Sequence, residues 1–536
     1  LWRNTTWARW RRVRQLVQIL LFAFFVYLLF AALQRRVVFP LVDLFFRLDP
    51  LGALGAMLAS REWIPKLGLA LLTVGLTLLL GRVWCGWMCP LGSLLEWFSF
   101  PRRRSAGTLS PRWRGVKYFI LTITLTAAVF GSLTLLVLDP LALLTRTMTT
   151  VILPGLNYTI NVLMAALYPV QPLRAILDAI ESLMRGSVLP VKQPIYVGNA
   201  LIAALFVGVI GLNALADRFW CRYLCPLGAL LALLSRVSLL RPFIGQACTD
   251  CGQCVRVCRL DAIDTEDGHR IVPGECTVCL DCLAACPEKG IGFRPSVGKL
   301  PASAWLGANL LRRSPVSEPV PSQEQPQWPA PAQPYDPGRR QLLAGMATGV
   351  AGVVVLRTGL RAHHPHPQLI RPPGVEDEAD FLARCLRCSQ CMKVCPTSGL
   401  QPVIFETGLE GLWTPRLVPR AGYCNYGCNA CGQVCPSHAI PALDLDRKRQ
   451  AVLGVAVIDH NRCLPWAEGV PCIVCEEMCP VPNKAIRLEE VMVTDAQGQS
   501  AIVQRPHVLS DLCIGCGICE YQCPVAGKAA IQVYRK

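Results

Sequence analysis

The feature that most constrains this chain is a cysteine spacing. Cys248-x2-Cys251-x2-Cys254-x3-Cys258 recurs as Cys276, Cys279, Cys282 and Cys286, as Cys385, Cys388, Cys391 and Cys395, and as Cys513, Cys516, Cys519 and Cys523. Two stretched copies keep the final spacing: Cys424-x3-Cys428-x2-Cys431-x3-Cys435 and Cys463-x8-Cys472-x2-Cys475-x3-Cys479. Gaps of two residues let a short loop lay three thiolates on three corners of a cubane, while the fourth cysteine reaches across to a neighbouring cluster. The quartets therefore predict six [4Fe-4S] clusters, their iron held by these 24 cysteines. The fold class that follows is small α+β domains of the bacterial ferredoxin type, one for two clusters and one for four. In the first, the spacing assigns one cluster to Cys248, Cys251, Cys254 and Cys286, and the other to Cys276, Cys279, Cys282 and Cys258. A proline follows every quartet except the first, where Arg259 stands instead.

Other uses of cysteine fit less well. A disulfide framework does not confine its cysteines to tight quartets ending in proline. Structural zinc is the competing reading, since four thiolates also suit a tetrahedral ion, but zinc sites come as two separated CxxC pairs. No CxxCH is present to attach haem, and neither a G-x-G-x-x-G nor a phosphate-binding G-x-x-x-x-G-K-[ST] pattern is found. His363, His364 and His366 read as a solvated group.

Hydrophobic residues make up 52% of the 536, and they are unevenly spread. Long apolar runs cover Leu16–Leu33, Leu67–Met88, Tyr118–Leu138 and Ile195–Leu215, each long enough to span a bilayer. Arginines flank them (Arg3, Arg9, Arg11, Arg12 and Arg14 first, then Arg102–Arg104, Arg112 and Arg114). The +17 charge therefore points to anionic lipid and not to nucleic acid, and it sets the N-terminus in the cytoplasm.

An internal repeat organises this polytopic α-helical membrane domain. Leu48-Asp49-Pro50-Leu51 returns as Leu138-Asp139-Pro140-Leu141, and Trp84-Cys85-x3-Cys89-Pro90-Leu91-Gly92 as Trp220-Cys221-x3-Cys225-Pro226-Leu227-Gly228. Related halves should carry their cysteine pairs on one side. Residues 151–170 are therefore expected as a non-spanning segment on the outer face, giving about four helices, with a five-helix version as the alternative. Cys85, Cys89, Cys221 and Cys225 could ligate an extra metal or cluster, form a redox-active dithiol, or be structural. Asp49 and Asp139 could accept a proton from a quinol or simply cap a helix.

The expected domains are 1–240 in the membrane, 241–300 as a cytoplasmic two-cluster ferredoxin, 301–338 as a linker with nine prolines, 339–360, and 361–536 with four clusters. Residues 339–360 open on Arg339-Arg340-Gln341-Leu342-Leu343, a twin-arginine, signal-like segment that would stay as a membrane anchor.

On these motifs, residues 1–295 resemble the NapH-type membrane ferredoxins, a quinol dehydrogenase component. Residues 339–536 resemble the NapG/MauM-type four-cluster ferredoxins, so the whole resembles a natural fusion joined by the proline-rich linker. The resemblance implies a multi-pass protein of the inner membrane that oxidises quinol from the quinone pool. Electrons would pass to a periplasmic acceptor, a c-type cytochrome or a reductase such as nitrate reductase. It also implies that the first C-terminal quartet exchanges its last cysteine with the fourth, and the second with the third. A membrane redox protein for maturation or regulation of another metalloenzyme is the alternative function.

Overall fold

The computed structural model describes residues 5–33, 39–99, 111–187, 193–264, 269–295, 339–358, 366–404, 406, 408–494 and 500–536. The proline-rich linker 301–338 lies outside the described residues.

The two sequence repeats fold alike. In the first half, α1 (Thr5–Leu33) precedes α2 (Pro50–Ser60) and α3 (Ala70–Leu80); a π turn at Trp84–Met88 then leads into α4 (Pro90–Trp97). In the second, α5 (Gly115–Val129) precedes α6 (Pro140–Leu167), α7 (Arg174–Ser187) and α8 (Asn199–Gly211); a π turn at Trp220–Leu224 leads into α9 (Pro226–Ser235). The motifs explain the starts. Proline at the first helical position has no N–H to leave unpaired and a φ already suited to the helix. The residue before it caps: Asp49 accepts from the N–H groups of Leu51 and Gly52, and Asp139 from those of Leu141 and Ala142. Cys89 and Cys225 take the same place on α4 and α9.

The apolar runs are not unbroken helices. Gly81 (φ 81°) ends α3, and Gly131 (φ 80°) follows the end of α5, each with a positive φ at which the helix cannot continue. Residues 151–170 also differ from expectation: most of them extend α6, which is continuous for 28 residues. Pro154 is tolerated because it directly follows a π turn, Met148–Ile152, that already displaces the backbone ladder. Among the described residues, Arg9–Ala32 and Pro140–Leu167 are long and apolar enough to cross a membrane; the other apolar helices are shorter.

Residues 240–295 form a small α+β unit in which Leu240–Ile244 pairs antiparallel with Ile291–Pro295, and Ile263–Asp264 with Arg270–Ile271. It packs at the start of α5. There Lys117 donates to both carboxylate oxygens of Glu275 at 2.8 and 2.6 Å, Arg114 to the Asp261 carbonyl, and Arg222 pairs with the Asp261 carboxylate. Trp87 donates to the Val278 carbonyl and Arg82 to that of Gly274, both within 2.9 Å.

The C-terminal unit lies at the other end of the helical domain. It holds the strand pairs Leu400–Pro402/Pro415–Leu417 and Val455–Ile458/Ile531–Tyr534, and the hairpin Ile486–Thr494/Ser500–Val508. Leu386 and Cys388 join the core of the helical domain, Arg384 pairs with Glu62 just past α2, and the Arg146 guanidinium stacks 3.9 Å over Trp413. The connection is α10 (Arg339–Thr358), which lies along α5. Gly345 and Gly349 let it approach closely: an added Cβ would come within 3.0 Å of Thr122 and 2.8 Å of Thr126.

Candidate iron–sulfur sites

Each regular quartet is wound the same way. The residues flanking its second cysteine are both left-handed: Asp250 and Gly252, Val278 and Leu280, Arg387 and Ser389, Gly515 and Gly517. Such turns aim successive backbone N–H groups into one concavity, a nest that favours an anion. Non-glycine residues are disfavoured there by about 1–2 kcal/mol each, and strain of this kind is kept where a site requires it. The stretched quartets starting at Cys424 and Cys463 lack this signature, as their longer first gaps demand.

Three cavities show which cysteines face one another. One is lined by Cys248, Cys251, Cys254 and Cys286, and a second by Cys258, Cys276, Cys279 and Cys282, so in both the fourth cysteine comes from the other quartet. The third is lined by Cys385, Cys388, Cys391 and Cys435. This corrects the exchange implied by resemblance: the first C-terminal quartet trades with the second. Cys395 lies within electrostatic reach of Cys424 and Cys431 in return. Likewise Cys463 faces Cys472 and Cys523, and Cys516 faces Cys513 and Cys479, so the third quartet trades with the fourth. The reason is local. Each exchanging pair is consecutive in sequence and folds as one two-fold unit, as in residues 240–295.

The thiols fit a cubane better than a single ion. With metal–sulfur bonds of about 2.3 Å, a tetrahedral zinc site holds its sulfurs roughly 3.8 Å apart. Among the described residues, no three cysteine sulfurs lie within 4.8 Å of one another; the group that does is Cys248, Asp250 and His269. Backbone N–H groups already point at sulfur: Ala262 to Cys258 at 3.2 Å, Ala485 to Cys479 at 3.3 Å, Ile440 to Cys435 at 3.4 Å. Burial pushes the thiols up, Cys254 and Cys276 to about 11 and Cys475 and Cys516 to about 12. Bound iron inverts that preference by holding the thiolate. Of the 24, Cys251 alone is exposed.

The remaining four cysteines, Cys85, Cys89, Cys221 and Cys225, are all buried in one core of the helical domain. Asp49 and Asp139 are also buried, 1% and 2% exposed, and their carboxyl groups lie within electrostatic reach of each other. Both act as helix caps. Arg259, where proline was expected, lies 3.5 Å from Glu96 and 3.7 Å from Asp281, and so ties the ferredoxin unit to α4. Sequence reasoning passed over the arginines before the cysteine pairs, although the repeat contained the signal: Arg82-x-Trp84-Cys85 recurs as Arg218-x-Trp220-Cys221.

Comparison with known proteins gives the same chemistry. A 4Fe-4S binding domain family matches residues 64–107 and 199–245, one match in each half of the repeat, and another of the same description matches 506–526. The methylamine utilization ferredoxin-type protein MauM of Methylorubrum extorquens is 38% identical over 211 residues, 38% of this chain and 91% of the relative. The chain belongs to the MauM and NapG family of ferredoxin-type proteins. The ferredoxin-type protein NapG of Escherichia coli is 33% identical over 203 residues, 37% of this chain and 85% of the relative. The putative electron transport protein YccM of Escherichia coli is 29% identical over 223 residues, 40% of this chain and 50% of the relative. No solved structure matches. This member of the MauM and NapG family is thus an electron-transfer protein with several 4Fe-4S binding domains.

Proposed function

We propose that this chain is a membrane-bound electron carrier that oxidises a quinol and passes the electrons to a periplasmic acceptor, a c-type cytochrome or a reductase. On this reading the 24 cysteines of the six quartets hold six [4Fe-4S] clusters, each of which, when bound, takes up and returns one electron. Residues 1–240 lie in the inner membrane, 241–300 face the cytoplasm, 301–338 form the linker, 339–360 anchor the chain, and 361–536 face the periplasm. A quinol gives up two electrons and two protons and leaves as a quinone; the protons go to water and the electrons leave singly.

One observation carries the reading: thiol-lined cavities pack against both ends of one helical domain. At one end Thr277, beside Cys276, lies against Gly86, beside Cys85. At the other, Cys388 is part of the helical core. From there the quartets continue one against the next, since the N–H of Cys424 donates to the carbonyl of Cys516 at 2.8 Å and Cys519 lies within electrostatic reach of Cys475. The protein residues bury these sites, orient the thiols through backbone N–H groups, and keep bulk water out.

The test is anaerobic addition of a quinol to the purified chain, followed by visible absorbance and EPR. Reduction of the clusters by quinol, with release of quinone, is expected. Clusters that dithionite reduces but quinol does not would overturn the proposal.

A further inference from the structure

We propose that Cys85, Cys89, Cys221 and Cys225 together hold one further iron–sulfur centre, shared between the two halves of the helical domain. This goes beyond the six quartets and rests on the electron-transfer reading above.

The four thiols come from equivalent places in the repeat and share one core, each 4–8% exposed. Cys89 and Cys225 each lie within electrostatic reach of both Cys85 and Cys221. The grouping is too open for a mononuclear tetrathiolate, because no three of the sulfurs fall within 4.8 Å. A centre with more than one iron spaces its thiolates more widely and fits the same four residues.

The surroundings are built for an anion. Cys89 and Cys225 stand at the N-termini of α4 and α9, where the N–H groups of Gly92 and Gly228 donate to their sulfurs at 3.4 and 3.2 Å. Arg82 is 1% exposed, and its Nη2 would sit 3.1 Å from a Cβ on Gly228. That Nη2 and the Nε have no hydrogen-bond partner, nor do Arg218 Nε and the indole N–H groups of Trp84 and Trp220. These are the repeat-related residues on either side of the axis. Five buried donors without acceptors are costly to leave unpaired. Arg218 already pairs with Glu96 at 2.6 Å and Arg82 lies 3.8 Å from Glu275; thiolates and sulfides of a shared centre would supply acceptors for the N–H groups that these carboxylates do not reach.

The location defines the step. Gly86, between Cys85 and Trp87, touches Thr277 of the neighbouring quartet. With Cys258, Cys276, Cys279 and Cys282 holding one cluster and the four helical-domain cysteines the other, the two would exchange a single electron, one being oxidised as the other is reduced, with no bond or proton moving. The two arginines offset the added negative charge.

The test compares the full chain with a Cys89→Ser/Cys225→Ser variant, both reconstituted anaerobically with iron and sulfide. The variant should lose about two to four irons per chain and a matching amount of sulfide, while the EPR signals of the six cubanes stay. Equal iron and sulfide in both proteins would overturn the shared centre, as would a single zinc or iron without sulfide at these residues, or recovery of the four cysteines as disulfides. Arg82→Gln provides a second readout: iron content unchanged, with one redox transition moved to a lower potential. If no transition moves, the arginine has no centre beside it. Loss of the cubane signals from the wild type would instead refute the six-cluster reading, and the difference between the two proteins would still report on the shared site.

Discussion

Replacing Glu275 by Gln should undo the docking of the ferredoxin unit on the helical domain. Its carboxylate is 4% exposed and accepts from Lys117, which is fully buried, with Arg82 Nη1 a further 3.8 Å away. Burial pushes Glu275 up, but Lys117, Arg82 and Arg114 outweigh it and hold the group below the usual carboxylate range. A neutral amide in its place would leave two buried cations without a counter-charge. Breaking a buried pair in this way costs about 3–5 kcal/mol, whereas an exposed pair contributes roughly 0–1 kcal/mol; burial decides for the larger figure. The assay is amide hydrogen exchange over residues 269–295 in the detergent-solubilised chain, with iron content measured in parallel. At 1.4 kcal/mol per tenfold, local opening should rise about 10²- to 10³-fold or more. A Glu275→Leu/Lys117→Met double variant should recover most of the loss, because two apolar residues leave no charge unpaired. A change below about 1 kcal/mol for Glu275→Gln would refute the argument, and so would a double variant as weak as the sum of its singles.

Gly86→Ala should weaken the same contact by about 1–3 kcal/mol through overpacking, because its Cβ would collide with the Thr277 carbonyl; exchange at residues 276–279 reads it. Gly345→Leu with Gly349→Leu should separate α10 from α5, where Thr122 and Thr126 leave no room, and cutting within 301–338 should then release the C-terminal unit from the helical domain. Cys435→Ser should remove the cluster of Cys385, Cys388 and Cys391 and leave that of Cys424, Cys428 and Cys431, as EPR and iron content will show; loss of the cluster of Cys463, Cys472 and Cys475 instead would restore the exchange implied by resemblance. The apoprotein should lose stability in alkali. Burial raises the folded thiols of Cys254 and Cys276 from 9.0 to about 11, so their contribution is full below pH 9.0 and disappears as the pH rises through about 11. The iron-loaded protein, whose thiolates are already held by metal, should show no such loss in near-UV circular dichroism.

Much of this was legible in the sequence because it depends on local spacing. The ligand exchange between Cys258 and Cys286 follows from loop length, and the Asp-Pro and Cys-Pro starts of α2, α4, α6 and α9 follow from capping chemistry. What escaped was set by partners remote in sequence. Nothing near Pro154 announces that a π turn will carry α6 through it. Arg259 looked like a departure from the proline pattern until Glu96 and Asp281 were brought beside it, and nothing next to Lys117 in the chain points to Glu275, 158 residues away. The wrong pairing of the C-terminal quartets had another origin. It was borrowed from resemblance, and spacing within a quartet carries no information about which neighbour supplies the fourth corner.

The way α10 lies along α5 bears on the strength of the contacts beyond it. Hydrogen bonds between the helical domain and the C-terminal unit include long ones: Arg146 to the Arg387 carbonyl at 3.4 Å, Gln390 to that of Val42 at 3.5 Å, and Tyr196 to that of Met392 at 3.5 Å. They stand beside the shared core at Leu386 and Cys388 and the Arg384–Glu62 pair. Here the partner is covalently attached through a helix already fixed to the first domain, so its effective concentration is on the order of millimolar. A C-terminal unit that parted from the helical domain would be held close enough to return to it, and the two always occur in equal number.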